Sequence, residues 1–304
     1  MPRTRRTTGD KFRWVSRFGG AGLVRARELA ASPIVLGVTR ETEGETERDR
    51  RRQQRELFDG VARLYEATRP GYPRELVEFV VAAAGVGAGS AVLEVGCGTG
   101  QLTGRLAALR CALTAIDVGA TMIEVARERV TGGGVTFLAV SFEELDAAEA
   151  SFDLVISGAA FHWVDPEVRF RKAARLLRPG GWLAVAGYDE RYDEPLGSAL
   201  DGMWLARSAD DGAWVTRPAD AGAIAGSGLF EAAVHRAFTE RLTRTSEDVI
   251  GVENTRATSL SWPDEVRQRF NAELRQRLGS QSEVGLALEA AVTMARVRKP
   301  ASGG

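Results

Sequence analysis

Short apolar runs alternate with stretches of helical periodicity from about residue 58 onward. The runs share a length of a few residues and are bounded by glycines or polar residues: Ala91 to Val95, Ala112 to Ile116, Val135 to Ala139, Phe152 to Ile156 and Trp182 to Ala186. Continuous apolar runs of this kind are typical of strands buried on both faces of a parallel sheet. The pattern therefore predicts five such strands.

The stretches between these runs have apolar residues at helical spacing. Helices are predicted over Pro73 to Ala84, Gln101 to Leu109, Thr121 to Val130 and Glu167 to Leu177. A tight turn, Arg178-Pro179-Gly180-Gly181, is predicted to lead into the fifth strand. Strand–helix alternation with short connections predicts an α/β fold whose doubly wound, mostly parallel sheet is covered by helices on both faces.

The two ends of the chain differ from this middle part. Residues 1–55 are arginine- and threonine-rich and then densely charged, without an apolar period, which predicts a poorly ordered extension. One domain is predicted over 56–298, with its core at 88–188 and a short tail at 299–304. Within it, segments of about 188–228 and 245–285 predict a helical or irregular cap. Strands near Ala232 to Phe238 and Ala290 to Val297 are expected to complete the sheet.

Composition and charge place the chain among ordinary globular proteins. It has 304 residues, 44% hydrophobic and 27% charged, with a formal net charge of −1, which gives no general attraction to nucleic acid or an anionic membrane. Cys97 and Cys111 have no disulfide or metal-ligand spacing and are expected to be reduced and structural. We therefore expect a cytoplasmic protein with a small-molecule partner, no membrane or nucleic-acid partner and no metal; the oligomeric state stays open.

A glycine-rich loop follows the first predicted strand. Gly96, Gly98 and Gly100 come directly after the strand, and Asp117 ends the next one. Ligands of open α/β sheets bind beyond the carboxyl ends of the strands, where the strand order reverses. Glycine there lets the backbone lie against a ligand, and Asp117 is placed to accept the two hydroxyls of an adenosine ribose.

Two cofactor classes fit such a loop, and two residues separate them. A dinucleotide loop has G-x-G-x-x-G spacing, whereas Gln101 stands here where its third glycine is expected. Glu94 precedes the loop by two residues, and its carboxylate would oppose a pyrophosphate but suits a cofactor with an ammonium and a sulfonium. Both residues favour S-adenosylmethionine (SAM) over NAD.

The segment Val92-Leu93-Glu94-Val95-Gly96-Cys97-Gly98-Thr99-Gly100 resembles the first motif of class I SAM-dependent methyltransferases. More narrowly, three segments resemble the type-11 small-molecule group: Phe58 to Tyr65, Arg69 to Pro73 and Ala160 to Pro166. The resemblance covers roughly Glu56 to Arg298. It implies a seven-stranded Rossmann-like methyltransferase fold with SAM as cofactor.

The resemblance also implies roles for individual residues. The loop glycines would contact the methionine part of SAM, Asp117 the ribose, Met122 the adenine, and Phe142 and Glu143 the adenine edge. Ser141 departs from the pattern, because many relatives have an aspartate there. Ser157, at the end of the fourth strand, is a further cofactor-binding candidate.

Tyr65 and Arg69 lie in the segment that covers the cofactor in such relatives. Tyr65 would close over SAM, and Arg69 would pair with its carboxylate or with a substrate anion. The alternative for both is a packed helix end with a surface arginine.

His162 follows the fourth strand, where an acceptor would approach the methyl group. It is a candidate general base, because its ordinary pKa is close to neutrality, or else a wall of the site. Trp163 is a candidate substrate contact or a packing residue, and His235 is expected to be structural.

These features predict a SAM-dependent methyltransferase that moves a methyl group to an O, N or C nucleophile of a small molecule by in-line displacement. A non-catalytic SAM-binding protein is the alternative, followed by an NAD(P)-dependent oxidoreductase. The identity of the acceptor, and whether a base is used, do not follow from the sequence.

Overall fold

The computed structural model describes residues 56–132, 134–211 and 221–298; the extension predicted at 1–55 and the tail at 299–304 lie outside these ranges. One seven-stranded sheet has the order β3-β2-β1-β4-β5-β7-β6. Its strands are β1 (Ala91–Val95), β2 (Ala112–Asp117), β3 (Val135–Ala139), β4 (Phe152–Gly158), β5 (Leu177–Tyr192), β6 (Val234–Thr245) and β7 (Glu283–Arg296).

The direction and order of the strands determine where a ligand can bind. Strands β1 to β5 pair in parallel, and β7 is antiparallel to both β5 and β6, which confirms the predicted mostly parallel α/β sheet. The chain winds to one side of β1 through β2 and β3 and to the other through β4 and β5. The strand order therefore reverses between β1 and β4, and a cleft opens beyond their carboxyl ends.

The helices in the described ranges cover the sheet and form the cap. Around the core they are α1 (Ala62–Thr68), α2 (Arg74–Ala84), α3 (Thr103–Ala107), α4 (Ala120–Arg129) and α5 (Arg169–Leu176). Those near the cap are α6 (Leu196–Asp211), α7 (Ala221–Gly226), α8 (Ser246–Asn254), α9 (Ala257–Leu260) and α10 (Asp264–Leu278). None of these helices combines the length and apolar character needed to cross a membrane.

The two faces of β1 belong to different apolar clusters. Val92 packs on the side of α2 and α3, and Leu93 packs on the opposite side with α5. Since side chains alternate along a strand, Glu94 follows Val92 onto the α2–α3 face. This alternation carries a carboxyl group into the core directly below the glycine loop.

The prediction of a turn before the fifth strand is wrong, because Arg178 to Gly181 lie within the long strand β5. Leu177 pairs with Phe152, and the next pairing joins Trp182 to Leu154. The intervening residues form a bulge, with Gly180 at φ +82°. These residues have no ladder partner in β4 or β7, and regular pairing on both sides of β5 begins at Trp182.

The strands β5, β6 and β7 are longer than the sequence pattern predicts, and their extensions support the cap. Trp204, Trp262 and Phe270 form the centre of the cap, with ring centroids 5.0 to 5.3 Å apart. Tyr192 and Leu286, from the extended ends of β5 and β7, are buried against this cluster. The cap therefore has an apolar core of its own.

Candidate functional site

The glycine loop turns sharply from β1 toward α3. The backbone N–H groups of Gly96 and Cys97 both donate to the Ile116 carbonyl, at 2.8 and 2.9 Å. Gly96 has φ +71°, and a Cβ on it would lie 2.2 Å from the Cβ of Ala160. At Gly100, φ is +92°, and a Cβ would lie 3.0 Å from Val130. Close contacts with neighbouring backbone elements therefore require glycine at both positions.

Gly98 differs from its two neighbours in the loop. Its φ is +54°, but among the described residues no heavy atom lies within 4 Å of the position that a Cβ would take. Its N–H donates to Oδ2 of Asp117 at 2.9 Å, and the N–H of Gly119 donates to Oδ1 at 2.9 Å. Asp117 is thus oriented by two backbone groups and keeps further lone pairs for hydroxyl donors on a ligand.

A cleft of about 720 Å³ lies above this loop, and we call it the large cleft. Its walls include the following predicted cofactor and substrate residues: Tyr65, Gly96, Gly98, Asp117, Met122, Phe142, Glu143 and Trp163. Met122 and Phe142 are buried on its apolar sides. The cleft therefore combines a flat apolar slot with one carboxylate, as an adenosine group requires.

Three aromatic rings form one wall of the large cleft. Phe58 makes edge contacts with Tyr65 and Trp163, at centroid distances of 6.1 and 6.2 Å. The segment that carries Phe58 is fixed by Asp59, whose carboxylate accepts from the Met122 N–H and the Thr121 hydroxyl, both at 3.0 Å. Asp59 thereby caps the N-terminus of α4, where the cap residue Gly119 has no side chain to do so.

Asp59→Ala should lower both stability and cofactor affinity. Loss of a capping carboxylate costs about 0.5–2 kcal/mol, and release of the Phe58 segment should weaken SAM binding severalfold. Thermal unfolding and calorimetric titration measure the two effects. Glu128→Ala is the matched control, because the ion pair of Glu128 with Arg63 joins the same two elements but is exposed. Equal effects of both variants would contradict a specific capping role.

A small cleft of about 320 Å³ adjoins the large one. Tyr65, Gly96, Gly98 and Gly158 line both, so the two meet at the ends of β1 and β4. The other walls of the small cleft include Glu94, Tyr72 and Tyr188. A ligand that filled both clefts would cross the loop at Gly96 and Gly98.

Glu94 is the acidic residue that lines the small cleft. Glu94 is 1% exposed, and its Oε2 is buried without a hydrogen-bond partner in the part of the chain that the structure describes. Burial raises the pKa of Glu94 to about 8; the charge of Asp117 adds to the shift and the nearby Thr103 hydroxyl opposes it. A buried carboxyl group with an unused oxygen is suited to a cationic ligand group.

Sequence reasoning assigned no role to Tyr72 or Tyr188, whose rings make an edge contact with centroids 5.4 Å apart. Tyr72 lies two residues before α2, and its hydroxyl would lie 2.6 Å from a Cβ on Gly158. The signal for Tyr72 was available, because it belongs to the Arg69 to Pro73 segment that carries the family resemblance. Tyr188 had none, since it lies in the part of β5 beyond the predicted strand.

Gln101, which distinguishes this loop from a dinucleotide loop, connects it to α1. Its amide donates to the hydroxyl of Thr99 at 2.7 Å and to the carboxylate of Glu66 at 3.1 Å. Glu66 also pairs with Arg129 at the end of α4. A glycine here would leave the loop without this tie to α1.

The remaining predicted site residues lie around the clefts. The Ser157 hydroxyl donates to the Val95 carbonyl at 2.7 Å, inside the sheet and behind the cleft. Arg69 contacts Thr255 and the ring of Tyr65. His162 is half-buried in a short 3-10 turn, its ring 4.9 Å from that of Trp163, and neither cleft is lined by it. His235 contacts the Thr293 hydroxyl on the neighbouring strand.

Comparisons with solved structures agree on the fold. A structure from Anaeromyxobacter dehalogenans, assigned provisionally to type II methyltransferases, superposes with a TM-score of 0.56 at 23% identity, covering 76% of this chain and 99% of that one. The [4+2]-cyclase SpnF superposes with a TM-score of 0.51 at 19% identity, covering 82% and 97%. A cyclase and a methyltransferase thus share this fold, and the fold alone does not specify the reaction.

Sequence comparisons identify a methyltransferase domain in the central part of the chain. Residues 93–185 match the family described as a methyltransferase domain. An uncharacterized methyltransferase of Mycobacterium bovis is 35% identical over 48% of this chain and 57% of its own length. The malonyl-[acyl-carrier protein] O-methyltransferase of Hahella chejuensis is 37% identical over 42% and 47%. The matched part thus spans about half of each relative. The resemblance found in the motifs is confirmed over residues 93–185, which match a methyltransferase domain.

Proposed function

We propose that the chain binds SAM across the two clefts and transfers its methyl group to an O, N or C atom of a small-molecule acceptor. The adenosine would occupy the large cleft, with Asp117 at the ribose, Met122 and Phe142 at the adenine faces and Glu143 at its edge. The methionine part would cross Gly96 and Gly98 into the small cleft.

The observation that carries this proposal is Glu94. A buried carboxyl group with an unpartnered oxygen lies at the end of the small cleft, where the methionine ammonium of SAM would arrive. The pyrophosphate of a dinucleotide would meet the Glu94 carboxyl group at the same point, where it would be repelled by a carboxylate. This argues against the oxidoreductase alternative. Gly98 supports the same assignment, since no atom of residues 56–132, 134–211 or 221–298 fills the space where its Cβ would be.

SAM supplies a methyl group on a sulfonium, which a nucleophile displaces in line. The protein has to hold the acceptor collinear with that methyl group and to exclude water. The wall of Phe58, Tyr65 and Trp163 would close the cofactor side, and the cap would close the acceptor side. Asp117 and the loop N–H groups are already oriented by hydrogen bonds within the protein, so binding would require little rearrangement.

Calorimetric titration with SAM and with NAD tests the cofactor, and we expect binding of SAM alone. Mass spectrometry of small acids, phenols, amines and quinone precursors after incubation with SAM tests transfer. Gly98→Ala is the matched negative variant, because its Cβ would enter the space shared by the clefts. SAM binding without a methylated product in this set would favour the alternative of a non-catalytic SAM-binding protein.

His162 is proposed as the general base for acceptors that must lose a proton. His162→Ala should then reduce turnover of such acceptors, and the ionisation that belongs to this imidazole should disappear from the pH–rate profile. His162→Asn is the size-matched control. A profile that keeps its shape in both variants would make His162 a wall residue that acts through Trp163.

A further inference from the structure

Helix α1 is packed between the core and the cap. On the core side, Ala62 is buried in one apolar cluster with Met122 and Val125 of α4. On the cap side, α1 contacts α8, whose Val249 and Ile250 are part of the apolar core of the cap. The position of α1 is therefore determined from both sides.

The contact between α1 and α8 requires a glycine at position 251. Gly251 is buried within α8, and a Cβ on it would lie 2.4 Å from Cγ2 of Thr68 and 3.4 Å from Cδ1 of Leu64. The Thr68 hydroxyl donates to the Leu64 carbonyl at 2.8 Å, so its methyl group cannot turn away without loss of that bond. Glycine makes a helix less stable than alanine does, and here the close packing of two helices accounts for it. A larger residue would push α1 and α8 apart.

The same short helix carries Tyr65, which lines both clefts. Residues three apart are neighbours on a helix surface, so displacement of Thr68 would also displace the Tyr65 ring. Two hydrogen bonds from Arg69 to Thr255, at 2.9 and 2.8 Å, join the ends of α1 and α8 as well. Residues 246–254 of α8 line neither cleft. The cap helix therefore reaches the cofactor site through α1.

We propose that Gly251 is a positioning residue of the cofactor site: it lets α8 approach α1 closely enough to hold the Tyr65 ring where the two clefts meet. This inference rests on the proposed function, in which SAM spans both clefts. Coupling between two sites acts in both directions. A bound cofactor that fixes Tyr65 therefore also fixes α8, and the placement of the cap is linked to occupancy of the cofactor site.

The first test is the affinity for S-adenosylhomocysteine, measured by calorimetric titration. Gly251→Ala should weaken binding about fivefold or more, because overpacking displaces α1. Thr68→Ser in the Gly251→Ala background removes the Cγ2 atom and keeps the hydroxyl, so most of the affinity should return. Gly202→Ala is the matched control in the cap, because Gly202 is exposed and no heavy atom of the described ranges lies within 4 Å of its added Cβ. Failure of Thr68→Ser to restore binding would overturn the inference.

A double-mutant cycle with Tyr65→Ala distinguishes action through Tyr65 from a general loss of structure. Once the ring is absent, Gly251→Ala should weaken binding by less than about twofold more. The same loss with and without the Tyr65 ring would show that Gly251 does not act through it.

Hydrogen exchange of the wild type tests the reverse direction and decides the question if Gly251→Ala does not fold. Saturation with S-adenosylhomocysteine should slow exchange of the α8 amides more than that of the α5 amides, which report the general stabilisation by a ligand. Equal slowing in both helices, or none in α8, would contradict the coupling.

Methyl transfer is assayed separately, which distinguishes failure of the two proposals. Binding of S-adenosylhomocysteine that Gly251→Ala leaves unchanged would contradict the role of Gly251 alone. Binding that depends on Gly251, without transfer to any acceptor, would contradict the proposed transfer and leave the role of Gly251 intact. A wild type that does not bind S-adenosylhomocysteine would contradict both.

Discussion

Gly96→Ala is expected to destabilise the protein and to abolish measurable SAM binding. The alanine would have to adopt a φ of +71°, and its Cβ would lie 2.2 Å from the Cβ of Ala160. A non-glycine residue in this backbone region costs about 1–3 kcal/mol, and overpacking adds about 1–3 kcal/mol. Because Gly96 and Ala160 both line the large cleft, relief of the clash would move the wall of the cofactor site.

Two further variants separate the causes. Gly98→Ala introduces a positive-φ alanine where no protein atom is near, so we expect a stability loss of only about 1–2 kcal/mol but a similar loss of SAM binding. Ala160→Gly in the Gly96→Ala background removes the clash and not the strain, so it should recover part of the stability. Denaturant unfolding and calorimetric titration give both quantities. Equal stability of the Gly96 and Gly98 variants would show that the contact with Ala160 is not limiting.

SAM binding is expected to weaken as the pH falls, because Glu94 must lose a proton to meet the methionine ammonium. Without ligand, burial raises the pKa of Glu94 to about 8. Below that pKa the affinity should fall by about tenfold per pH unit, with release of about one proton on binding. Titration between about pH 6 and pH 8 in buffers of different ionisation enthalpy measures both.

Glu94→Gln is the size-matched control for this linkage. Its affinity for SAM should be lower at about pH 8 and nearly independent of pH, since the amide carries no charge. A wild type whose affinity shows the same flat profile would exclude Glu94 as the ammonium partner.

The raised pKa of Glu94 also predicts that the stability of the free protein falls as the pH rises. The folded-state pKa of Glu94 is raised, so the folded protein holds a proton that the unfolded chain releases. This contribution is complete below the ordinary pKa of 4.5 and is lost as the pH rises to about 8, at about 1.4 kcal/mol per pH unit. Glu94→Gln should therefore unfold at higher temperature than the wild type above about pH 8, a measurement that needs no ligand.

The parts of the fold that follow local patterns were predictable from sequence. The bounds of β1 and β3 agree with the predicted runs, and α4 differs from its prediction by one residue at each end. Long-range pairing changed the rest. The Arg178 to Gly181 segment has the composition of a turn, and the structure contains it as a bulge in β5 between Leu177 and Trp182, which both pair with β4. The extended ends of β5 and β7 pair with each other, from Gly187 with Ala291 to Tyr192 with Leu286.

The candidate site, like the fold, was predictable only where local sequence patterns determine it. Spacing along the chain was sufficient to predict the glycine loop, Asp117 and the carboxyl group at Glu94, because these positions follow from a strand, its alternation and the turn after it. Only the tertiary structure decided what surrounds them. Asp59 caps a helix that starts more than sixty residues later, and Arg69 is held by Thr255, 186 residues away. Contacts between such distant segments depend on how the sheet and the cap pack, so no local pattern encodes which residues meet or which buried charge is left without a partner.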